Sequence, residues 1–338
     1  MKIEKNISLK NLNTFGVDAK SKYFVEVYSA EELNQILISE EYTSNQILIL
    51  GSGSNILFTK DFDGLVIKNS ISGIKLVDED NNNVTIEAGA GVIWDDLVKY
   101  CIDKNIGGIE NLSYIPGTVG AAPIQNIGAY GQELAETFYE LNGVYVDSCE
   151  NKKFNGSECG FSYRNSVFKN ELKNKFVITS VKLMLNKNPD INLSYNPVKE
   201  EVEKRDLKNP TIKDIRDIVI DIRKSKLPDP NKLGNSGSFF KNPVITKERF
   251  KMLEEEYTDI HYFAVDDDNL KIPAAWLVEK SGWKGKRLGN AGTYELQPLV
   301  IVNFGNASGR EIYEISELIK SDVKTTFDIT LENEVNIL

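Results

Sequence analysis

The alternation of hydrophobic and polar positions predicts a chain that mixes helices and strands. Leu33, Ile36 and Leu37 follow Ser29 at helical spacing, and Glu32 completes a capping pattern, so an amphipathic helix is expected after Ser29. Further helices are predicted at 93–104, 212–223 and 311–324. Short apolar runs predict strands at 47–50, 64–68, 84–88, 143–146, 176–185 and 328–331. This pattern indicates strand-rich lobes followed by another unit of helices and strands.

Breaks in the pattern divide the chain. Residues 107–131 are crowded with Gly, Pro and Asn over a length that exceeds an ordinary turn. Residues 191–210 are polar and carry two prolines, and a helix capped by Thr211 follows them. The sequence Leu227-Pro228-Asp229-Pro230 ends that helix, because proline lacks an amide hydrogen and disfavours helix in the residue before it. We therefore expect a domain boundary just before or within this helix.

Composition and charge narrow the classes of function. The 338 residues contain 40 lysines and arginines against 50 aspartates and glutamates, a net charge of -10, which opposes general nucleic-acid binding. A local basic pocket can still bind a diphosphate. Three cysteines without CxxC spacing and a single histidine favour neither a disulfide framework nor a zinc site. The start MKIEKNISLKNLNTF lacks a signal-peptide core, and no apolar run approaches the ~20 residues that span a bilayer. We expect a cytoplasmic protein that binds neither nucleic acid nor membranes.

A glycine-rich loop follows the predicted strand at 47–50. Its sequence is Gly51-Ser52-Gly53-Ser54-Asn55-Ile56-Leu57, and backbone amides with small hydroxyls can bind a pyrophosphate in such a loop. The spacing fits neither the GxGxxG dinucleotide fingerprint nor the Walker A loop, which needs a lysine. For this segment alone, a plain strand-to-strand turn is an equally good interpretation.

A second run of small residues, IPGTVGAAPIQNIGAYG, spans Ile115 to Gly131. Small residues allow a backbone to approach a flat ligand closely. Thr118, Gln125 and Asn126 offer polar groups for a ring edge or for phosphates. Two such loops indicate an extended dinucleotide, and the alternative is a glycine-rich structural crossover.

Five segments of this chain occur in the same order in the UDP-N-acetylenolpyruvoylglucosamine reductase family, which the chain resembles over essentially its whole length. They are GSGSNIL, IPGTVGAAPIQNIGAYG, FSYRNSVFK, NSGSFFKNP and LENEV, of which the second and fourth are highly specific. The resemblance implies an α+β protein, with a two-lobed FAD-binding fold of the vanillyl-alcohol oxidase type and a separate α/β substrate-binding domain.

The resemblance also implies domain limits and cofactors. The FAD-binding domain would span 15–187, with lobes at about 1–70 and 71–187 and with 328–338 joining the first lobe. A tyrosine-bearing loop and linker would follow at 188–210, and the substrate-binding domain would occupy 211–327. FAD would bind non-covalently, with NADPH as reductant. The expected FAD contacts are Gly51, Ser52, Gly53, Ser54, Asn55, Ile56, Pro116, Gly117, Thr118, Gly120, Ala121, Gln125, Asn126, Gly128, Ala129 and Tyr130.

Three catalytic residues are implied by the same resemblance. Arg164 suits the carboxylate of an enolpyruvyl group, and its charge would stabilise an enolate. Ser238 would donate a proton, with Ser236 as the near neighbour that could be mistaken for it. Glu334 is the catalytic glutamate, although Asn333 stands where the motif often has proline. From the residues alone, a surface arginine, a plain turn and a solvated acidic tail are the alternatives.

Contacts with a UDP-sugar are implied as well. Arg223 and Lys226 suit a diphosphate, although cations at this position also stabilise the end of a helix. Tyr195 marks the subtype called type I, in which a tyrosine-bearing loop covers the substrate, but Asn196-Pro197 replaces the glycine that commonly follows. The remaining contacts are Tyr163, Asn242 and Gln297, the last within TYELQP, which departs from the family pattern.

The implied activity is a reduction in two stages by a monomeric enzyme that needs no metal. NADPH would reduce FAD and leave, and UDP-N-acetylglucosamine enolpyruvate would then accept hydride at C3 and a proton from Ser238 at C2. A flavin oxidase of the same fold is one rival, which would not need Ser238 or Glu334. An inactive nucleotide-sugar binding protein is another, and the presence of Arg164, Ser238 and Glu334 disfavours it.

Overall fold

The computed structural model describes residues 2–338 and has the mixed helix and strand content that the sequence predicts. The α-helices are α1 (Ala30–Leu37), α2 (Glu40–Thr43), α3 (Trp94–Asp103), α4 (Asn196–Lys204), α5 (Ile212–Lys226), α6 (Lys247–Glu256), α7 (Ala274–Lys280) and α8 (Gly309–Phe327). The longer strands among β1 to β12 are β1 (Glu4–Ser8), β2 (Lys20–Val27), β3 (Gln46–Leu50), β5 (Phe62–Asn69), β6 (Ile74–Glu79), β7 (Asn83–Gly89), β10 (Phe138–Tyr145), β11 (Asn151–Asn155) and β12 (Phe176–Asn186). Short strands between them are β4 (Ile56–Leu57), β8 (Gly128–Ala129) and β9 (Gln132–Glu133). The remaining strands are β13 (Gly234–Ser238), β14 (Val244–Thr246), β15 (Phe263–Ala264), β16 (Asn269–Lys271), β17 (Arg287–Leu288), β18 (Ala291–Thr293), β19 (Val300–Asn303) and β20 (Asn336–Ile337).

Most of the predicted elements are confirmed, together with the residues expected to begin and end them. The Ser29 hydroxyl accepts a hydrogen bond from the Glu32 amide at 3.2 Å and so caps α1. Thr211 Oγ1 accepts from the Asp214 amide at 3.2 Å and caps α5. Helix α5 ends at Lys226, directly before Leu227-Pro228, as the proline rule requires.

Two expectations about local structure are wrong. The predicted strand at 328–331 does not form, because Asp328 ends α8 with a left-handed φ of 54° and the chain then runs irregularly to Glu332. Residues 188–210 were expected to be loop and linker, yet α4 lies within them. Its buried Val198 and Val202 pack against α5, and Pro197 sits in the first turn, where a missing amide hydrogen costs nothing.

The chain divides into two compact units, of which the first comprises the residues up to Ile7 together with 21–53 and 62–224. This unit contains a four-stranded sheet in the order β1-β2-β5-β3, with parallel pairing of β5 to β2 and to β3. It also contains a five-stranded sheet in the order β11-β10-β12-β7-β6, whose pairs are antiparallel. These sheets form two lobes, as expected for the FAD-binding fold.

A shared core joins the two lobes of the first unit. Val25 and Leu65 of the four-stranded sheet pack in one cluster with Val144 and Val177 of the five-stranded sheet. A separate cluster lies in the lobe of the five-stranded sheet, where Trp94, Leu97 and Val98 of α3 are buried. Burial of large apolar side chains on both sides fixes the positions of the loops at the ends of these strands.

The second unit comprises 8–20, 54–61 and 225–338. Its sheets have the orders β13-β19-β18-β17 and β14-β16-β15, and a further pair joins β20 to β4 in parallel. Helix α8 buries Ile312, Ile315, Ile319 and Val323, which recur at helical spacing on one face. Because β20 pairs with Ile56–Leu57, the C-terminal residues belong to this unit.

These limits differ from those expected from the sequence. The first unit continues through most of α5 to Lys224, because α4 and α5 share a buried cluster within it. Residues 328–338, expected to join the first lobe, pack instead in the core of the second unit through Ile329, Leu331 and Val335.

Candidate functional site

The glycine-rich loop after β3 closely approaches a second backbone segment of the first unit. A Cβ atom placed on Gly51 would lie 2.7 Å from Thr118 Oγ1, nearer than real carbon atoms come. Gly53 has a φ of 67°, which favours glycine. Glycine at position 51 therefore leaves room for the Thr118 side chain, and the two loops that were singled out in the sequence lie close together. Gly51, Ser52 and Gly53 belong to the first unit, whereas Ser54, Asn55 and Ile56 belong to the second.

The backbone of the second segment is pinned to the start of α3 and to the strand before it. The Trp94 amide donates to the Gly117 carbonyl at 3.0 Å, and the Val119 amide donates to the Val92 carbonyl at 2.8 Å. A Cβ on Gly120 would lie 2.5 Å from that of Ala90, so this glycine also permits close packing. Pro116 and Ala121 are exposed at the edges of the segment, and Thr118 is buried. These contacts hold the main chain of Gly117 to Gly120 rigidly, and we call this stretch the ledge.

Asn126 makes its side-chain hydrogen bonds within the protein. It has a left-handed φ of 44° and is buried. Its amide donates to Glu133 Oε2 at 2.7 Å and to the Ser162 carbonyl at 3.3 Å, and its carbonyl accepts from the Ala135 amide at 3.0 Å. Its polar side-chain atoms therefore already have partners in the protein, and the contact of Asn126 with FAD stays a prediction. Gln125, Gly128 and Ala129 are partly exposed on either side of it.

Arg164 stands at the tip of a tight turn beside the Gly128 backbone. Ser162 and Asn165 exchange two backbone hydrogen bonds of 3.2 and 3.0 Å, and Arg164 between them has a φ of 52°. Its guanidinium donates to the Gly128 carbonyl at 2.9 Å and lies 5.2 Å from the centre of the Tyr163 ring. The structure thus brings Arg164 and Tyr163 next to the segment expected to bind FAD.

The tyrosine-bearing segment packs against the turn between β8 and β9 and is hydrogen-bonded to it. The rings of Tyr195 and Tyr130 meet edge to face with centroids 5.4 Å apart. The Asn111 amide donates to the carbonyls of Tyr130 at 2.9 Å and Asn192 at 3.1 Å, and the Asn192 amide donates to the Gly131 carbonyl at 3.0 Å. Tyr195 is the residue before α4, so Asn196-Pro197 begins a helix at the place where the family commonly has glycine.

Arg223 is a half-buried cation whose partner is a phenol. Burial lowers the pKa of Arg223, and the hydrogen bond to Tyr130 and the charge of Asp95 oppose that shift. Burial also raises the pKa of Tyr130, whereas Arg223 lowers it. Within residues 2–338, Arg223 Nε has no hydrogen-bond partner. Lys226, the last residue of α5, is exposed. A guanidinium held in this way has unused capacity for an anion.

Ser238 and Glu334 lie on neighbouring segments of the second unit. Ser238 ends β13 opposite Val300, and the Glu334 amide donates to the carbonyl of Phe239 at 2.8 Å. Asn333 forms a β-bridge with Phe240. This pairing places Ser238 and Glu334 on adjacent backbone segments.

The two candidate serines differ in environment. Ser236 is buried, and its hydroxyl lies 3.4 Å from that of Thr14. Ser238 is half-buried. Gly237 between them has a φ of 68°, which accompanies an irregularity in the pairing of β13 with β19. This bulge separates the two hydroxyls, so they are not interchangeable.

Comparisons with known proteins match both parts of the chain. Residues 229–338 match the model of the UDP-N-acetylenolpyruvoylglucosamine reductase C-terminal domain, and residues 21–145 match that of an FAD binding domain. A UDP-N-acetylenolpyruvoylglucosamine reductase of Flavobacterium johnsoniae is 48% identical over 100% of both chains. The one from Amoebophilus asiaticus is 47% identical over 100% of both.

The chain belongs to the UDP-N-acetylenolpyruvoylglucosamine reductase family. The crystal structure of the reductase from Thermus caldophilus has the same fold, with a TM-score of 0.70 and 23% identity over 100% of this chain and 99% of that one. The expected α+β fold, with an FAD-binding domain and a separate C-terminal domain, is therefore confirmed. So is the expectation of an FAD-dependent oxidoreductase.

Two polar residues expected to bind substrate make local contacts in the second unit. Asn242 Oδ1 accepts from the Ala274 amide at 2.9 Å and so caps α7. Gln297 Oε1 lies 3.4 Å from the Leu299 amide within a turn. Their contacts with substrate stay predictions, and the structure gives each a structural role as well.

Several residues of the first unit were missed by the sequence analysis. Asp95 accepts two hydrogen bonds from Arg216, and Asn111 ties the Tyr130 segment to residue 192. An aspartate in the first turn of a helix is common for reasons of capping and dipole, so Asp95 gave no distinct signal. Only the long-range pairing reveals its partner.

The described part of the chain contains no helix able to cross a membrane and no cluster of three metal-binding side chains. Its three cysteines are free thiols. Burial raises the pKa of Cys101 and of Cys159 to about 12 each, so both thiols are protonated and unreactive at neutral pH.

Proposed function

We propose that this enzyme reduces UDP-N-acetylglucosamine enolpyruvate to UDP-N-acetylmuramate, with NADPH as reductant and FAD as carrier, in the synthesis of peptidoglycan precursors. Membership of the reductase family supports the reaction. The three free cysteines agree with a cytoplasmic setting, where thiols stay reduced. The observation that carries the proposal is the placement of Ser238 and Glu334 on paired neighbouring segments.

The residues of the first unit fit a dinucleotide such as FAD. Gly51 leaves a cradle beside Thr118 that a side chain would fill, and the ledge of Gly117 to Gly120 has a rigid main chain. Backbone groups and small side chains of this kind bind phosphates and lie flat against rings. When bound, FAD supplies the hydride chemistry, taking two electrons from NADPH and giving them to the substrate.

Side chains of this protein would bind the substrate, stabilise the developing charge and donate the proton. Arg164 would bind the substrate carboxylate and stabilise negative charge as it develops. Glu334 would assist the same step. Hydride addition at C3 of the enolpyruvyl group makes C2 basic, and the Ser238 hydroxyl would donate its proton there. The Ser238 oxygen then regains a proton from water. Arg223, half-buried and with a buried Nε that has no hydrogen-bond partner in the described chain, would meet a phosphate of the UDP moiety.

Product analysis tests the proposal directly. Purified holoenzyme is incubated without oxygen with NADPH and UDP-N-acetylglucosamine enolpyruvate, and the nucleotide sugar is then examined by mass spectrometry. We expect a product heavier than the substrate by two hydrogen atoms, together with equimolar loss of NADPH. Oxygen uptake without any change in the sugar would instead indicate an oxidase, and binding without turnover would indicate an inactive sugar-nucleotide protein.

A further inference from the structure

Helix α5 is joined to the first turn of α3 by a bidentate ion pair. Arg216 donates to both oxygens of Asp95, at 2.7 and 2.8 Å. The side chains are only 11% and 24% exposed, respectively, so water and salt screen this pair less than a surface pair. Two parallel hydrogen bonds also fix the angle between the groups.

The same carboxylate holds the backbone that leads into the ledge. Asp95 Oδ1, which accepts from Arg216, also accepts from the Tyr114 amide at 2.6 Å. Tyr114 has a φ of 60°, a left-handed conformation that a residue with a side chain disfavours. The next residues are Ile115, Pro116 and Gly117. The hydrogen bond from the Tyr114 amide to Asp95 stabilises Tyr114 in this conformation.

Helix α5 also contacts Tyr114 through Lys224, and the same helix carries Arg223. Lys224 Nζ lies 5.5 Å from the centre of the Tyr114 ring. Arg223, one residue earlier, is hydrogen-bonded to Tyr130 at the far end of the glycine-rich segment. The helix thus touches the segment of 114–130 at both ends.

We propose that Asp95 and Arg216 are a positioning pair, which holds the Tyr114–Thr118 backbone in its FAD-binding conformation and ties that backbone to the helix bearing Arg223. Capping of α3 would explain an acidic residue at position 95, but it does not explain a half-buried arginine from another helix on the same carboxylate. The role of Arg223 in this inference rests on the proposed function. The role of the ledge rests only on FAD binding.

The test measures FAD affinity, by titrating FAD into apoprotein and following the quenching of flavin fluorescence. We expect Asp95→Asn and Arg216→Met each to weaken FAD binding about tenfold. The double variant should lose about the same factor, because the two residues act as one unit. Arg216→Lys should fall in between, since lysine keeps the charge without the planar fork. The matched control is Arg205→Met, which removes the 2.9 Å pair of Arg205 with Asp221 on the outer face of α5 and should change the affinity less than twofold.

Thermal unfolding separates positioning from plain stability. A merely structural pair would lower the Tm of the apoprotein and of the FAD-loaded protein equally, whereas a positioning pair lowers the Tm gain from FAD. FAD affinities within twofold of the parent in both single variants would overturn the proposal, as would an equal Tm loss with and without FAD. If Asp95→Asn does not fold, the Arg216→Lys result decides.

The outcome is independent of the proposed reaction. Loss of FAD affinity in the variants would support the positioning pair even if the parent enzyme failed to reduce the enolpyruvyl sugar. UDP binding to the FAD-loaded proteins, measured by calorimetry, tests the link to Arg223, and we expect about a threefold loss in Arg216→Met. Unchanged UDP binding would remove that link.

Discussion

The region proposed to bind FAD and the region proposed to transfer a proton are built in different ways. In the first unit, Gly51 and Thr118 approach so closely that a single added carbon would collide, and the ledge is held by main-chain hydrogen bonds. In the second unit, Ser238 and Glu334 sit on short paired segments, where their own side-chain atoms matter. If the proposed roles hold, FAD binding depends on backbone shape spread over many residues, whereas proton transfer depends on single side-chain atoms. Loss of one such atom should then abolish most of the proton transfer.

The largest expected effect comes from the glutamate of the second unit. Glu334→Ala should lower kcat about 10³-fold, because the carboxyl group proposed to act in the step at the enolate is lost. Glu332→Ala is the matched control, since Glu332 is exposed and pairs with Lys241 at 2.9 Å. Steady-state NADPH oxidation measures both. A similar loss in the two variants would mean that folding of the C-terminal segment, rather than the Glu334 carboxylate, limits activity.

A smaller effect on activity is expected from substitution of Arg223, the half-buried cation of α5. Arg223→Lys should raise KM for the sugar nucleotide about tenfold with a lesser change in kcat, because lysine lacks the planar fork that meets both Tyr130 and a phosphate. Lys213→Met, an exposed cation of the same helix, provides the control and should leave KM within twofold. An unchanged KM in Arg223→Lys would separate this arginine from substrate binding.

Adding a single carbon atom to the glycine-rich loop of the first unit should weaken FAD binding. Gly51→Ala should weaken FAD binding about tenfold, since the new Cβ would lie 2.7 Å from Thr118 Oγ1 and push the loops apart. Gly156→Ala tests the same change where the nearest atom, on Phe138, is 3.8 Å away. FAD titration of the apoproteins gives both constants. Equal affinities in the two variants would show that the close approach of the loops is not needed.

The smallest effect concerns the residue that departs from the family motif. Asn333→Pro should keep kcat within about twofold and change Tm by less than about 3 °C. The nearby backbone hydrogen bonds use the amides of Glu334 and Lys241, not that of Asn333, and Asn333 Oδ1 has no hydrogen-bond partner in the described chain. Differential scanning calorimetry and steady-state kinetics check this. A large loss of stability would mean that the backbone at 333 resists the proline φ.

Local patterns predicted much of this fold because local forces fix it. Apolar spacing and the caps at Ser29 and Thr211 gave the correct positions of α1 and α5. The pattern failed where long-range contacts decide: Ile329 and Leu331 are apolar because they fill the core of the second unit, not because they form a strand.

The candidate site was predictable to the extent that glycines and motifs mark it. The contact of Gly51 with Thr118 agrees with the two-loop hypothesis. The internal role of Asn126 and the Asp95–Arg216 pair were not predictable, because they depend on partners up to 121 positions away in the sequence. The sequence alone does not distinguish a polar side chain that binds a ligand from one that hydrogen-bonds within the protein.

The most direct test of the division between the two regions is Ser238→Ala, followed in anaerobic stopped-flow absorbance. We predict that flavin reduction by NADPH stays within about twofold of the parent, while reoxidation by UDP-N-acetylglucosamine enolpyruvate slows at least about 10²-fold. Ser236→Ala serves as the control and should leave the reoxidation rate near that of the parent. Equal slowing of both half-reactions in Ser238→Ala would contradict the account, because Ser238 would then serve the fold or the flavin rather than donate a proton.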